Sequence, residues 1–342
     1  MIFKFSNYEI YSIILIFFLY LICYFKLNKI SKFINLYDHP DGVRKLHKSK
    51  TPLLGGIFIF SAILLYLIII PYFLDSGFKY FYLYSYKSVI LFYLSFVLIF
   101  MLGFLDDKYS ISPDKKLIIL FGICYLFVIS DNTVRINDIR VNFLNLTLEI
   151  DKFSPIFTSI FIVTFLILSN MFDGINGQSS IFFIFTLIIL GIFNPSIINY
   201  LIFIILLLLV FLFFNIRSKI FLGDNGIYAL SFIISVLYLK TYNVYGNLVF
   251  DQLILISLIP LIDMVRVSIS RIFKGKNPMI PDMRHIHHLL NNVRGKLTIL
   301  MLITILPITL YYFLDNFIIS FIIPILIYIY LIFKKSKNEI LH

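Results

Sequence analysis

The sequence contains no tryptophan, only two cysteines, and few charged residues for its length. Cys23 and Cys124 both lie in apolar stretches, so the chain has neither a disulfide framework nor a CxxC metal motif. Charged residues make up 14% of the 342 residues and hydrophobic residues 60%, whereas a soluble domain is about a quarter charged. This scarcity of charge excludes an ordinary soluble protein and predicts an integral membrane protein.

Long apolar runs are what the sequence has instead. About eleven of them approach the roughly 17–25 residues that a transmembrane helix needs, and they are continuously apolar rather than alternating, which disfavours a β-barrel. No small-residue cleavage site follows the first run, so we do not interpret it as a cleavable signal peptide. We therefore predict an all-α, polytopic membrane protein whose residues 1–342 form a single integral membrane domain. The predicted spans are Tyr8–Phe25, Leu53–Leu74, Ser88–Leu105, Lys116–Ser130, Pro155–Asn170, Ser179–Phe193, Ser196–Asn215, Gly226–Lys240, Asp251–Val267, Leu297–Leu314 and Asn316–Phe333.

The net charge of +11 has a topological explanation. Most lysines and arginines fall in the loops that follow the odd-numbered runs, and cytoplasmic loops of membrane proteins are enriched in these residues. This distribution places the N-terminus outside and the C-terminus in the cytoplasm, and it needs no nucleic-acid partner. In the first inner loop, Lys26, Lys29 and Lys32 are typical of contact with anionic lipid. The later basic residues of that loop are candidates for anion binding in a site: Arg44, Lys45, His47 and Lys50.

An adjacent acid pair, Asp106-Asp107, ends the third apolar run. A carboxylate in hydrocarbon costs roughly 2.5–3.5 kcal/mol on insertion scales, so the pair is expected at a membrane surface or in a wet cavity. Two neighbouring acids repel each other, which favours a bound cation or a shared proton. Ser112 and Pro113 predict the start of the next helix. Lys116 then lies one turn into that helix, where it either reaches a phosphate or snorkels to the interface.

Two glycine-containing polar segments interrupt the later runs on the same side. The first, NMFDGINGQ, carries Asn170, Asp173 and Asn176, and the second follows Asn215 and contains FLGDNG with Asp224. Glycines let backbone N–H groups approach a ligand, and carboxylates and amides offer hard oxygen ligands. Each segment taken alone is also ordinary turn chemistry.

Asp263 lies within the ninth run, and an acid inside a span is a functional candidate by default. The alternative is a structural pair with Arg266 one turn later. The inner loop 268–296 ends in a cluster formed by Arg284, His285, His287 and His288. The zinc-protease motif HExxH is absent. We expect these groups to donate hydrogen bonds to a phosphate or sugar, with a zinc site and a structural role as the alternatives.

All of these polar segments fall on the basic, inner side under one topology. Carboxylates, a hard metal, lysines and histidines are the components of phosphoryl transfer, which depends on positioning and charge stabilisation. The sequence thus predicts a Mg²⁺-dependent phosphoryl-transfer site at the cytoplasmic face of a membrane.

From His39 to His288 the chain resembles the polyprenyl-phosphate N-acetylhexosamine-1-phosphate transferases of the glycosyltransferase 4 family, and within it the bacterial undecaprenyl-phosphate GlcNAc-1-phosphate members. The resemblance is carried, in order, by RKLHKSKTPLLGG, GFLDD, NMFDGINGQ, FLGDNG, PLIDMVRV and RHIHHLL. It implies transfer of a HexNAc-1-phosphate from a UDP-sugar to undecaprenyl phosphate with release of UMP, in the bacterial inner membrane, at the start of cell-surface glycan synthesis such as that of O-antigen.

The resemblance also implies roles for particular residues. Asp106 and Asp107 are expected beside the lipid phosphate, with Asp173 as a further catalytic acid. Asp224, with Asn170, is expected to hold Mg²⁺, or Mn²⁺ in its place. The implied substrate-binding residues are Lys45, His47, Lys116, Asn170, Asn176, Asn215, Arg284, His285, His287 and His288.

Some positions depart from the family pattern. Ser110 replaces an acid, Leu120 a glutamine, Ile167 an asparagine, and Asn176 a frequent bacterial aspartate. These departures leave another UDP-HexNAc or UDP-MurNAc-pentapeptide open as the donor, although the His-Ile-His-His segment is similar to that of GlcNAc-type members. A homodimer is also left open. A membrane transporter or lipid flippase is the alternative from another class; such a protein needs polar groups near the bilayer midplane, and Asp263 favours it.

Overall fold

The computed structural model describes residues 7–40, 50–69, 85–246, 248–278, 283–290 and 293–340. The described chain is predominantly helical, with two short antiparallel hairpins, β1–β2 and β3–β4. The helices are α1 (Asn7–Phe25), α2 (Leu27–Ile34), α3 (Gly55–Ile69), α4 (Tyr86–Tyr109), α5 (Pro113–Ser130), α6 (Ser154–Phe172), α7 (Gln178–Phe193), α8 (Ile198–Asn215), α9 (Gly223–Lys240), α10 (Phe250–Ile272), α11 (Ile286–Leu289), α12 (Lys296–Leu314) and α13 (Phe317–Ile340). The strands are β1 (Tyr37–Asp38), β2 (Thr51–Pro52), β3 (Asp138–Val141) and β4 (Leu146–Glu149).

The prediction of an all-α, multi-pass membrane protein is confirmed. Every predicted apolar run coincides with a helix in the described part of the chain. Seven of these helices are long and apolar enough to cross a membrane, and the bent pair α1–α2 gives an eighth candidate. Helices α3 and α7 are apolar but shorter. The count of eleven spans and the orientation of the termini stay predictions.

Helix α9 occupies the centre of the bundle. Of its most apolar window, 83% of the residues are buried, and it packs against α3, α4, α6 and α7. Small residues permit this packing, because without a side chain two helix backbones approach closely. A Cβ on Gly103 of α4 would lie 2.6 Å from the backbone of Asn225, and one on Gly226 would lie 2.5 Å from the Cα of Gly56. These glycines bring the ends of α3 and α4 directly onto the first turn of α9.

Helix α2 turns away from α1 by 76°. Its chain continues through Asn35, whose left-handed conformation ends the helix, into β1. Strand β2 then holds the loop before α9, since the N–H of Phe221 donates to the carbonyl of Pro52 at 2.9 Å and the N–H of Gly55 donates back to Phe221 at 3.0 Å. The segment from β2 to the start of α3 therefore holds the FLGDNG loop in place through backbone hydrogen bonds.

Helices α5 and α9 run parallel, with an aspartate–lysine contact at each end. At their N-terminal ends Lys116 Nζ lies 3.6 Å from Asp224 Oδ2, and at their C-terminal ends Lys240 Nζ lies 3.3 Å from Asp131 Oδ2. The β3–β4 hairpin follows the second contact.

Candidate active site

A cavity of about 830 Å³ lies where the C-terminal ends of α4, α6, α8 and α10 meet the N-terminal ends of α5, α7, α9 and α12. Most predicted site residues line it. These are Asp106, Asp107, Lys116, Asn170, Asp173, Asn176, Asn215, Asp224, His285, His287 and His288. Arg284 is not part of this wall; one of its guanidinium nitrogens donates to Ser270 Oγ at 3.2 Å. Lys45 and His47 lie outside the described residues.

Asp107 caps the N-terminus of the central helix. Its Oδ1 accepts the backbone N–H of Asp224 at 2.9 Å, and its Oδ2 accepts the backbone N–H of Asn225 at 3.1 Å and the Asn225 side-chain amide at 2.5 Å. The first N–H groups of a helix have no partner within the helix, and the helix dipole favours an anion there. Asp107 thus fixes the position of Asp224 from a helix more than a hundred residues away in sequence.

The other two carboxylates share one ammonium group. Lys116 Nζ lies 2.5 Å from Asp106 Oδ2 and 3.6 Å from Asp224 Oδ2. Asn170, in the last turn of α6, donates from Nδ2 to Asp224 Oδ1 at 2.8 Å. Two aspartates therefore share a single lysine, with Asp107 adjacent on α4, and the surplus negative charge faces the cavity.

The donor atoms of this cluster are oxygens of carboxylates and an amide, which suit a hard cation. No group of three His, Cys, Asp or Glu side chains that could hold a metal occurs within the described residues. Mg²⁺ does not require one, because it commonly binds through one or two carboxylates and completes its shell with water and substrate phosphates.

Hydrogen bonds connect the 173–177 loop to the segment between α8 and α9. Asn215 accepts the N–H of Gly177 at 2.6 Å and donates to the carbonyl of Ile220 at 2.9 Å, so it clasps the 173–177 loop to the segment before α9. Asn176 donates to Ser218 Oγ at 2.7 Å. The prediction for Asn215 was substrate binding; the structure gives it this clasp, and substrate binding stays a prediction.

The side chain of Asp173 is exposed to the cavity, where the surrounding protein groups still desolvate the carboxylate. This desolvation raises the pKa of the carboxyl to about 6, and a hydrogen bond from Ser179 opposes the rise only in part. Asp173 is thus an acid of this site whose charge changes at a mildly acidic pH.

The histidine segment packs against the NMFDGINGQ loop at Gly174. A Cβ on Gly174 would collide with the imidazole of His287. Burial, followed by the neighbouring His288 and His285, holds the pKa of His287 well below its usual value. His287 is therefore neutral at neutral pH, and its Nδ1 has no hydrogen-bond partner among the described residues.

Asp263 lies behind the histidines at the centre of a buried polar network. The predicted pair with Arg266 is confirmed, with Arg266 Nη2 at 2.7 Å from Asp263 Oδ1. The other carboxylate oxygen lies 2.8 Å from His285 Nδ1, and the hydroxyl of Tyr328 donates to Oδ1 at 2.7 Å. This network connects α10 and α13 to the cavity wall.

Several residues of this cavity were not predicted from the sequence. Arg271 is 1% exposed and lines the cavity beside His285, and Lys296 lies on the same wall. Asn225, which is fully buried beside Asp224 and donates to Asp107, was not predicted either. The spacing of Arg271 from the histidines spans a loop, so periodicity gives no signal for it.

Comparisons with known proteins agree on one family. A family model described as glycosyl transferase family 4 matches residues 89–242. The probable undecaprenyl-phosphate N-acetylglucosaminyl 1-phosphate transferase of Bacillus subtilis (strain 168) is 28% identical over 264 residues, covering 75% of this chain and 69% of the relative. The undecaprenyl-phosphate alpha-N-acetylglucosaminyl 1-phosphate transferase of Thermotoga maritima is 26% identical over 285 residues, covering 81% and 80%. The protein of the same name from Escherichia coli (strain K12) is 25% identical over 274 residues, covering 77% and 71%.

Proposed function

We propose that this chain, which matches the glycosyl transferase family 4 model over residues 89–242, transfers GlcNAc-1-phosphate from UDP-GlcNAc to undecaprenyl phosphate and releases UMP. The relatives named above carry that activity in their names. The observation that carries the proposal is the single cavity in which Asp106 and Asp224 share Lys116, Asp107 lies beside them on α4, and Arg271 and the histidines line another part of the wall.

The reaction forms one phosphorus–oxygen bond and breaks another. An oxygen of the lipid phosphate attacks the sugar-linked phosphorus of the donor, and the bond to the uridine-linked phosphate breaks with UMP leaving. A phosphate monoester has a second pKa of about 6, so at neutral pH the lipid phosphate is mostly a dianion that needs no base. The residues of the site then act by positioning and by offsetting charge.

In this proposal the charged residues of the cavity have different roles. Lys116, held between Asp106 and Asp224, supplies the positive charge for the transferring phosphoryl group. Arg271 and Lys296 bind the donor diphosphate, to which a guanidinium offers paired N–H groups. Asp107 acts through α9, because its acceptor bonds keep Asp224 in place.

Mg²⁺ dependence is part of the proposal. Asp224 would hold the ion, with Asn170 beside it once the amide turns its oxygen instead of its NH₂ towards Asp224. When bound, the ion would offset the diphosphate charge and make UMP a better leaving group. We further propose that the cavity opens at the cytoplasmic face of the bacterial inner membrane, in agreement with the basic loops at that end. A homodimer stays a prediction.

The test is UMP release by the purified protein from a panel of UDP-sugars with undecaprenyl phosphate. We expect release from UDP-GlcNAc that stops when EDTA removes divalent ions and returns with Mg²⁺. Release from UDP-MurNAc-pentapeptide alone would reassign the donor, and absence of release from every UDP-sugar would contradict the proposal.

Asp263, the residue that favoured a transporter, has a structural role instead. Asp263 is engaged by Arg266, His285 and Tyr328, and it is 2% exposed. A carboxylate used in this way supports a structural network better than a solute pathway.

A further inference from the structure

The buried network around Asp263 continues into the cavity through His285. Because the Asp263 carboxylate only accepts hydrogen bonds, the proton on the facing His285 nitrogen is at Nδ1. In a neutral ring Nε2 is then an acceptor, and Arg271 Nη2 lies 3.4 Å from it. An arginine only donates, so the direction of this contact is settled as well. Both nitrogens of His285 are thus used within the protein.

The far end of the network lies in the last helix. Tyr328 of α13 is 1% exposed, and its hydroxyl donates to Asp263 Oδ1 at 2.7 Å while accepting from Arg266 Nε at 2.7 Å. Among the described residues that line the cavity, none comes from α13. Tyr328 therefore touches no group in the cavity directly, yet it is two hydrogen bonds from the His285 ring.

Arg271 is held at three points of this arrangement. Its Nη1 donates to the carbonyl of Pro278 at 2.6 Å, its Nη2 faces His285, and its backbone belongs to the last turn of α10, the helix that also carries Asp263. A guanidinium that binds a diphosphate with paired N–H groups must keep its plane in one orientation. The His285 contact is suited to fix that orientation.

We propose that Tyr328 and Asp263 are positioning residues for donor binding, which act through His285 on the Arg271 guanidinium. The inference rests on the proposed function in one respect, namely that Arg271 binds the donor diphosphate. It assigns His285 the role of orienting Arg271 instead of the direct phosphate or sugar contact expected from the sequence. It also means that Tyr328, on the peripheral helix α13, contributes to the affinity for the nucleotide.

The test is the Tyr328→Phe variant, which removes one hydroxyl and keeps the ring. We expect the KM for UDP-GlcNAc to rise roughly three- to tenfold, the size of the loss of one ordinary hydrogen bond. The kcat and the KM for undecaprenyl phosphate should remain at the wild-type values. The matched control is Tyr330→Phe, on the same helix and 61% exposed, which should leave all three constants unchanged. An unchanged donor KM in Tyr328→Phe would overturn the inference.

A double-mutant cycle separates positioning from general stability. If Tyr328 acts through Asp263 and His285, then Tyr328→Phe should add no further rise in donor KM to Asp263→Asn, or to His285→Gln should Asp263→Asn fail to fold. Multiplying effects would contradict the route. Calorimetric UDP binding without lipid acceptor provides a readout that does not need turnover. Weaker UDP binding by Tyr328→Phe in a protein that releases no UMP would support the positioning role while refuting the proposed function.

Discussion

Helices α5 and α9 carry the same two residue types at both ends, and the two ends differ in what surrounds them. At the cavity end Lys116 faces Asp106 and Asp224, with Asp107 adjacent on α4. At the opposite end Lys240 faces Asp131, and their side chains are 6% and 3% exposed. The first contact borders a cavity of about 830 Å³ and the second a pocket of about 50 Å³.

The difference lies in how many acceptor positions remain for a ligand. Asp131 accepts from the backbone N–H and the hydroxyl of Thr133 with Oδ1, at 2.9 and 2.6 Å, and pairs with Lys240 through Oδ2. At the cavity end Asp106 and Asp224 share one lysine beside Asp107, and Asp224 is 27% exposed. The Lys240–Asp131 pair is thus a structural contact, because its charges balance and both side chains are buried. The cluster at the cavity end can bind a ligand, because its excess negative charge is exposed to water.

Asp131→Ala should produce the largest change, and that change should be in stability. It leaves Lys240 buried without this carboxylate, and breaking a buried pair on one side costs about 3–5 kcal/mol. Thermal unfolding in detergent measures the loss, and UMP release per folded molecule should not change. Replacing both partners by Leu and Met should recover much of the stability. A selective loss of turnover would mean that the Lys240–Asp131 pair takes part in the site.

Asp107→Asn should reduce turnover by about 10²–10³-fold, the range seen when one preorganised electrostatic group is removed. The amide puts an NH₂ group opposite the N–H donors of α9, so Asp224 moves. UMP release at saturating Mg²⁺ measures this effect. A normal melting profile combined with wild-type turnover would show that the α9 cap is dispensable.

Gly103→Ala should reduce turnover about tenfold, because its Cβ would meet the Asn225 backbone at 2.6 Å and push α4 away from α9. Small displacements of positioned groups are costly in catalysis. Gly122→Ala in α5 is the matched control, since a Cβ there meets nothing within 4 Å. Equal turnover in the two variants would refute this role of the close helix contact.

Asp173→Asn should have the smallest effect, visible as a pH dependence. The pKa of Asp173 is raised to about 6 in the folded state from a usual value of 3.8. The protonated acid therefore stabilises the fold below about pH 4, and this contribution is lost as the pH rises through about 6. We expect Asp173→Asn to melt at a higher temperature than the wild type at pH 7.5 and at the same temperature below pH 4. A difference of equal size at both pH values would contradict the shifted pKa.

Helix positions could be predicted well from the sequence, and side-chain partners could not. Long apolar runs identify helices because lipid requires satisfied backbone groups. Helix α2 was missed because it is short and amphipathic and turns by 76° from α1. Helix α4 continues through Asp106-Asp107 to Tyr109, so the acids extend from a helix instead of following one.

In the site, too, local pairs could be predicted from the sequence and long-range contacts could not. The Asp263–Arg266 pair was predictable from its spacing of three residues, because such neighbours share a helix face. The capping of α9 by Asp107 and the bond from Tyr328 to Asp263 join residues 117 and 65 positions apart. No local sequence pattern predicts such contacts. The capping of α9 by Asp107 forms only because the glycine-lined helices pack closely.

The most direct test of the account is UMP release by Asp224→Asn, with Asp114→Asn as a control that alters an exposed acid near the same end. Both variants should melt like the wild type. The account predicts that Asp224→Asn releases UMP only at the background rate while Asp114→Asn is as active as the wild type. Full activity in Asp224→Asn would contradict the claim that the excess carboxylates at the cavity end hold a magnesium-bound nucleotide sugar.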